Sequence, residues 1–125
     1  MAGTIRSYRD IVAWQKSFQL GLSVYRLTLK FPADERFGLT SQTRRSAVSV
    51  ASNIAEGYGR HGRADYVRFL KVARGSLYEL DTQLSFAAEL KYITPEQHAP
   101  VKHLLDESER VLAGLIKAVE RCMDA

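Results

Sequence analysis

Apolar residues recur along the chain at steps of three and four positions, which is the spacing of one face of an α-helix. The pattern holds over four segments separated by short connections, at about residues 9–30, 40–58, 64–91 and 95–123. Four amphipathic helices joined in this way predict an all-α fold, an antiparallel up-down four-helix bundle, built as a single domain over residues 1–125.

The first segment carries two neighbouring apolar stripes. One stripe consists of Ile11, Trp14, Phe18, Leu22, Tyr25 and Leu29, and the other of Leu20, Val24, Leu27 and Phe31. An apolar face of this width is typical of a helix buried in a bundle, rather than of a two-stranded coiled coil. Pro32 is expected to end the helix, because the residue before a proline avoids the α region.

Two further details concern the third and fourth segments. Gly75 interrupts the third segment, and we expect it to permit close packing against another helix. At the start of the fourth segment, Thr94, Pro95 and Gln97 predict a capping box with proline at the first helical position.

Three glycines, Gly57, Gly59 and Gly62, fit the spacing G-x-G-x-x-G. In a dinucleotide-binding loop this pattern follows a β-strand and opens a helix. Here it follows a predicted helix. We expect Gly57 and Gly59 to take positive φ angles at the end of that helix, and Gly62 to cap the next one. The pattern therefore indicates a helix–helix connection and not a nucleotide site.

The composition is that of a globular domain, with 46% hydrophobic and 26% charged residues among 125. The single cysteine excludes a disulfide framework. The first residues lack the apolar region of a signal peptide, and no apolar run approaches the ~18 residues needed to span a bilayer. These features predict a cytoplasmic protein with no membrane partner.

Catalytic and metal-binding patterns are missing from the sequence. No Glu-x-x-His motif of a di-iron bundle is present, and the three histidines do not share a spacing suited to one metal. The carboxylates are scattered over predicted polar faces, so no acid/base pair stands out. We predict a protein that is not an enzyme and that has no catalytic residues, metal or cofactor.

Charge is distributed unevenly along the chain. The net charge is +4, but residues 1–74 carry 13 Lys/Arg and 5 Asp/Glu, a balance of +8, whereas residues 75–125 carry 5 and 9, a balance of −4. Such asymmetry indicates nucleic-acid binding, or a basic face meeting an acidic face in an oligomer. The plainer alternative is two solvated helical faces of opposite sign.

A polar stripe runs along the second segment through Arg45, Ser49, Ser52 and Glu56, with Asn53 beside it. We expect Asn53 and Glu56 to belong to a structural polar network that fixes the register of the bundle. A contact surface is the alternative. Because a carboxylate is disfavoured at a helix C-terminus, Glu56 should have a cationic or donor partner, such as an arginine of another helix.

Four stretches together carry a family resemblance: "YRDIVAWQKS" (8–17), "FPADERFGLTSQTRRSAVSVASNIAEGYGR" (31–60), "DYVRFLKVARGSLYELDTQL" (65–84) and "ELKYI" (89–93). They closely resemble the four-helix bundle family encoded in intervening sequences of bacterial 23S ribosomal RNA genes. The matching motif positions are Trp14, Gln42, Arg44, Arg45, Asn53, Glu56 and Gly57. The family is similar to the accessory protein of diversity-generating retroelements, a basic pentameric bundle that partners a reverse transcriptase and binds nucleic acid. The resemblance implies a homo-oligomeric ring, a pentamer, and supplies no catalytic residues.

Two functional hypotheses follow. In the first, a homo-oligomer binds RNA or DNA phosphates without reading sequence, through Arg44, Arg45, Arg60, Arg63, Arg68, Lys71 and Arg74. Tyr58 and His61 are then candidates for stacking on unpaired bases. In the second, the chain is an interaction scaffold for a protein partner such as a reverse transcriptase. The basic half of one subunit then docks on Glu107, Glu109 and Glu120 of the next.

Overall fold

The computed structural model describes residues 4–60 and 62–123, and four α-helices make up most of them. They are α1 (Val12–Thr28), α2 (Leu39–Tyr58), α3 (Arg63–Glu89) and α4 (Pro95–Met123). No strand occurs in these two ranges. α1 and α3 each pack against both α2 and α4, and within the described residues no Cα atoms of α1 and α3, or of α2 and α4, come within 8 Å of one another. Because short connections join consecutive helices, neighbours run antiparallel. The predicted all-α up-down four-helix bundle is confirmed.

Local hydrogen bonds set where the helices begin. α1 starts at Val12 and not near residue 9, because Tyr8–Asp10 form a separate 3-10 turn. The Asp10 carboxylate holds that turn by accepting from the backbone N–H groups of Arg6 and Ser7. At the start of α4 the predicted capping box is confirmed. The Thr94 N–H donates to the Gln97 amide oxygen at 2.9 Å, and the Gln97 N–H donates to the Thr94 hydroxyl at 3.1 Å.

The core runs along the axis of the bundle and receives aliphatic side chains from every helix. The deepest of them, all no more than 1% exposed, are Leu20, Val24, Val50, Ile54, Leu70, Leu77, Leu80, Leu84, Leu105 and Leu112. Close packing of such side chains is the main favourable term in the folding of a domain of this size.

Only one of the two apolar stripes of α1 fills this core. Leu20, Val24 and Leu27 of one stripe are buried. The exposed residues of the other stripe are Phe18, Leu22, Tyr25 and Leu29. The expectation that a wide apolar face serves the bundle interior is therefore only half right. A helix of a four-helix bundle turns one sector toward the shared core, so the second stripe lies on the outer surface.

The glycine pattern serves helix packing more than turn geometry. Gly57 lies inside the last turn of α2 and is buried. A Cβ atom there would lie 2.7 Å from the Cβ of Phe69 and 3.2 Å from the Tyr66 ring. The expectation of positive φ angles at Gly57 and Gly59 is wrong. Gly59 has φ −78°, and Gly57 is not among the described residues with positive φ. Gly62 does cap α3, with φ 96°.

Gly75 does not have the packing role expected of it. It is exposed, and a Cβ atom built there meets no atom within 4 Å. Substitution by alanine is therefore expected to have opposite effects at Gly57 and at Gly75.

Gly57→Ala should destabilise the protein by about 1–3 kcal/mol, because the new methyl group forces α2 away from α3. Gly75→Ala should stabilise it by about 0.5–1 kcal/mol, because alanine loses less backbone entropy in a helix. Urea denaturation followed by circular dichroism, at one protein concentration, measures both. A Gly57→Ala variant as stable as the parent would contradict the close approach of the two helices.

One end of the bundle carries two connections, residues 29–38 and 90–94, and we call it the double-loop end. Glu35 links them. Its carboxylate accepts from the backbone N–H of Leu39 at 3.0 Å, at the start of α2, and from the Tyr92 hydroxyl at 2.8 Å. The Phe31 and Tyr92 rings lie 5.9 Å apart beside it. The Leu39 N–H, and then the Tyr92 hydroxyl, lower the pKa of Glu35.

Tyr92→Phe should raise the pKa of Glu35 toward its ordinary value, because one donor to the carboxylate is lost. The folded-state pKa of Glu35 lies below its unfolded value. Its stabilising contribution is therefore complete above that unfolded value, near 4.5, and is lost as the pH falls through the folded pKa. The variant should be less stable than the parent near neutral pH, and the deficit should shrink in acid.

NMR titration of the Glu35 carboxyl and urea denaturation over roughly pH 3 to pH 7 check this expectation. Tyr58→Phe is the matched control, since no hydrogen bond of the Tyr58 hydroxyl is found in residues 4–60 and 62–123. A deficit that stays constant with pH would contradict the role given to Tyr92.

Candidate nucleic-acid interface

The seven basic residues predicted to bind nucleic acid fall into two groups. Arg44 and Arg45 lie in the first half of α2, near the double-loop end. The other five lie in the α2–α3 connection and the first half of α3: Arg60, Arg63, Arg68, Lys71 and Arg74. The 15 residues from Arg45 to Arg60 correspond to ~22 Å along the helix axis. The fold therefore does not gather the seven into one patch.

Around the α2–α3 connection, two guanidinium groups flank one aromatic ring. Those of Arg60 and Arg68 lie 4.8 and 4.7 Å from the centre of the Phe69 ring. Arg60 also pairs with Glu56 at 2.9 Å and Arg68 with Asp65 at 3.1 Å. Both pairs join near neighbours in sequence and are solvent-exposed, so each contributes little to stability and leaves its arginine able to exchange partners.

The remaining members of this group differ in their surroundings. Arg63 is the exposed first residue of α3. Lys71 reaches across to α4 and pairs with Glu120 at 3.2 Å. Arg74 is half-buried beside Tyr78. Of the two predicted stacking residues, Tyr58 packs edge-to-face on Tyr66 at 6.3 Å, and His61 lies outside the described residues.

Two of the acidic residues expected to receive a neighbouring subunit are paired within the chain. Glu107 binds Lys16 of α1, which lowers the pKa of Glu107, and Glu120 binds Lys71. Glu109 instead lies beside the Tyr78 hydroxyl and raises its pKa. The acidic face of α4 is thus neutralised largely by its own bundle.

A second group of arginines forms what we call the arginine pocket, lined by Tyr25, Arg36, Phe37, Arg44 and Arg45, with a volume of about 690 Å³. Arg44 donates to the Thr28 hydroxyl at 2.8 Å and lies over the Tyr25 ring at 4.7 Å. Arg36 lies over the Phe37 ring at 5.0 Å. None of the three arginines has a carboxylate within 4.0 Å among residues 4–60 and 62–123.

Sequence analysis missed Arg36 and Phe37. A usable signal was present, because Phe37 is an aromatic residue in a connection, outside every helical stripe, with a basic residue before it. Its ring is 87% exposed in the fold.

The polar stripe of α2 contributes a network at the α2–α3 contact. The Ser46 hydroxyl donates to Glu79 at 2.8 Å, and the Ser49 and Ser76 hydroxyls share a hydrogen bond at 2.9 Å. Asn53 donates to the Ser49 carbonyl and hydroxyl at 2.8 and 2.9 Å. Glu56 lies outside this network. Its cationic partner is Arg60, four residues further along, and not an arginine of another helix.

An apolar groove lies between α1 and α2 on the outer surface. Its α1 side carries Trp14, Phe18, Leu22 and Tyr25, and its α2 side carries Val48 with small residues, around a cavity of about 320 Å³. The Trp14 and Phe18 rings stack at 5.0 Å. The groove meets the arginine pocket at Tyr25 and Val48, which line both.

Comparison with known proteins assigns the chain to a family. A family model described as 23S rRNA-intervening sequence protein matches residues 9–114, which span α1–α3 and most of α4. This chain belongs to that family. The matched region contains all seven predicted basic residues, the arginine pocket and the lining residues of the apolar groove other than Tyr8.

The chain is also similar to a solved structure from Bacteroides thetaiotaomicron VPI-5482. That protein is described as one with unknown function from the S23 ribosomal protein family. The two share 25% identity and a TM-score of 0.75, over 84% of this chain and 98% of the other. No curated protein matches the chain. Neither description names a catalytic activity.

Two further properties of the chain concern the described residues alone. None of the helices within them combines the length and apolar character that crossing a membrane requires. Within the same ranges, no three His, Cys, Asp or Glu side chains come together as a metal site.

Proposed function

We propose that this protein is a non-enzymatic homo-oligomer that binds RNA or DNA through its basic surface. The observation that carries the proposal is the cluster at the α2–α3 connection, where Arg60 and Arg68 flank Phe69 next to the exposed Arg63. Guanidinium groups held in this way bind phosphate oxygens in forked geometry and do not read the base sequence. The resemblance of the family to the accessory protein of diversity-generating retroelements, a basic bundle that binds nucleic acid, supports the same function.

The local acids do not oppose this function. Glu56 and Asp65 are exposed neighbours of the arginines with which they pair. A phosphate that replaces them releases the carboxylates to water at little cost. Lys71 is bound across helices to Glu120, so its contribution to phosphate binding should be smaller than that of the three arginines.

Fluorescence anisotropy with labelled structured RNA and duplex DNA, at low and near-physiological salt, tests the proposal. We expect binding that weakens steeply with salt, and a triple variant Arg60→Glu, Arg63→Glu and Lys71→Glu that loses about tenfold or more in affinity. The slope of log K against log salt concentration should also be shallower for the triple variant, because up to about three phosphate contacts are lost.

The matched control reverses three other exposed charges, Lys30→Glu, Lys91→Glu and Lys117→Glu, and has the same net charge as the test variant. It should retain most of the affinity. Equal losses in both variants would show that only net charge matters. Absence of binding by the parent protein at low salt would overturn the proposal.

The scaffold alternative has an observation of its own, the apolar groove. Exposed apolar side chains also lie on α3, the helix diagonally across the bundle from α1: Val72, Tyr78 and Phe86. A groove at one helix pair and exposed apolar residues on a different helix suit a head-to-tail contact between copies, which closes into a ring if its rotation allows. We therefore assign a second copy of the chain to the groove. The family resemblance gives a pentamer as the expected ring.

Leu22→Glu should dissociate this assembly, because it places a charge in the apolar groove. Light scattering after size exclusion should give a multiple of the chain mass for the parent and the mass of one chain for the variant. Leu29→Glu is the control, since Leu29 directly follows α1, is 76% exposed and lies outside the groove. A monomeric parent would rule out the ring. Dissociation by the Arg60, Arg63 and Lys71 reversals would instead place those residues at the subunit contact.

A further inference from the structure

Three arginines around the arginine pocket have no carboxylate partner in the part of the chain that the structure describes. They are Arg36, Arg44 and Arg45. Elsewhere on the bundle, Lys16, Arg60, Arg68, Lys71 and Lys102 pair with an acid of the same chain, whereas other basic residues such as Arg63 and Lys117 have no carboxylate within 4.0 Å among the described residues. The three arginines differ from these in lining one pocket together. A concentration of unpaired cations in one concave place is suited to an anionic ligand. Its volume of about 690 Å³ lies within the ~300–1,000 Å³ range of small-ligand sites.

Resting on the proposed function, we propose that the arginine pocket takes one unpaired nucleotide of a single-stranded nucleic acid. The guanidinium groups bind its phosphates, and the base stacks on Phe37. The pocket thereby gives the protein a preference for single strands that phosphate contact alone does not supply.

Arg44 is already fixed in position for this role. Its Nε–H donates to the Thr28 hydroxyl at 2.8 Å, and one terminal nitrogen lies 3.5 Å from the Tyr25 carbonyl oxygen. The Tyr25 ring supports the guanidinium plane at 4.7 Å. An arginine has five N–H donors, and the donors of Arg44 that take no part in these two contacts remain free to bind a phosphate. A side chain held by such contacts loses little further freedom when a phosphate binds.

Phe37 supplies a stacking surface. Its side chain is 87% exposed, and it lies in the short segment between the Ala33–Glu35 turn and α2. The Arg36 guanidinium lies over the ring at 5.0 Å. Aromatic rings flanked by basic side chains bind successive bases of single strands, and each base contributes through its π-face irrespective of its identity.

The surroundings favour a nucleotide over a protein partner. Burying three guanidinium groups against a protein surface that brings no carboxylates would be costly. A phosphodiester provides the missing negative charge. The base must be unpaired, because the faces of paired bases in a duplex are covered by their neighbours.

The test compares the affinity of the full chain for a labelled single-stranded RNA of mixed sequence with its affinity for the corresponding duplex. Phe37→Ala should lose about tenfold in affinity for the single strand and little for the duplex, with an unchanged salt dependence. Phe37→Tyr should retain single-strand binding, because it preserves an aromatic ring. Arg44→Gln combined with Arg45→Gln should lower the salt slope on the single strand by about 1.4.

Leu29→Ala is the control for removal of an exposed apolar side chain near the same end, and it should change neither affinity. Light scattering is run on every variant. The pocket assignment is overturned if Phe37→Ala leaves single-strand affinity unchanged, if it weakens single strand and duplex equally, or if it dissociates an oligomer. In each of these cases duplex binding by the parent still supports the proposed function. Failure of the parent to bind either nucleic acid overturns both.

Discussion

A helix in a four-helix bundle can bury only the sector that faces the shared axis, and α1 carries more apolar surface than that sector holds. Leu20 and Val24 fill the core, so Phe18 and Leu22 are left on the outside. This surplus gives the apolar groove, because the facing side of α2 carries small residues such as Ala51 and Ala55. An exposed apolar groove of this kind is a candidate site of association.

Electrostatic pairing inside the bundle uses some of the basic residues and leaves others without an acidic partner. α4 is rich in acids, and cations of its neighbours reach it: Lys16 pairs with Glu107 and Lys71 with Glu120. α2 has Glu56 as its one carboxylate, and that group is used by Arg60. Among the described residues, Arg36, Arg44 and Arg45 on α2 and the connection before it have no carboxylate within 4.0 Å, and neither do basic residues of the other helices such as Arg26, Arg74 and Lys117. Which charges find a partner therefore depends on the packing of the helices and not on the charge balance of the two halves of the sequence.

The groove and the arginine pocket are neighbours because both depend on the α1–α2 pair. Tyr25 belongs to both, with its ring under Arg44 on one side and beside Leu22 on the other. An oligomer built through the groove would repeat the pocket once per subunit. Individually weak phosphate contacts would then act together, since each later contact becomes intramolecular.

The order and type of the helices followed from sequence because they depend on local periodicity. The stripe through Leu70, Leu77 and Leu84 and the capping box at Thr94 are short-range patterns that any structure must satisfy in the same way. The role of Gly57 was not available locally. Its lack of a side chain matters because Phe69, twelve residues later, lies against it once α2 and α3 pack together.

The tertiary structure alone decided which charges have partners and which surfaces lie open. Lysines and arginines look alike in sequence, and only the packing of α3 against α4 brings Lys71 to Glu120, while no carboxylate of the described residues lies within 4.0 Å of Arg36 or Arg45. Likewise, both stripes of α1 have helical spacing, and the rotation of the helix about its own axis selects the buried one. The sequence by itself determined four helices and an excess of basic residues, because spacing and composition are local. The position of the groove and of the arginine pocket depended on contacts between residues far apart in the chain.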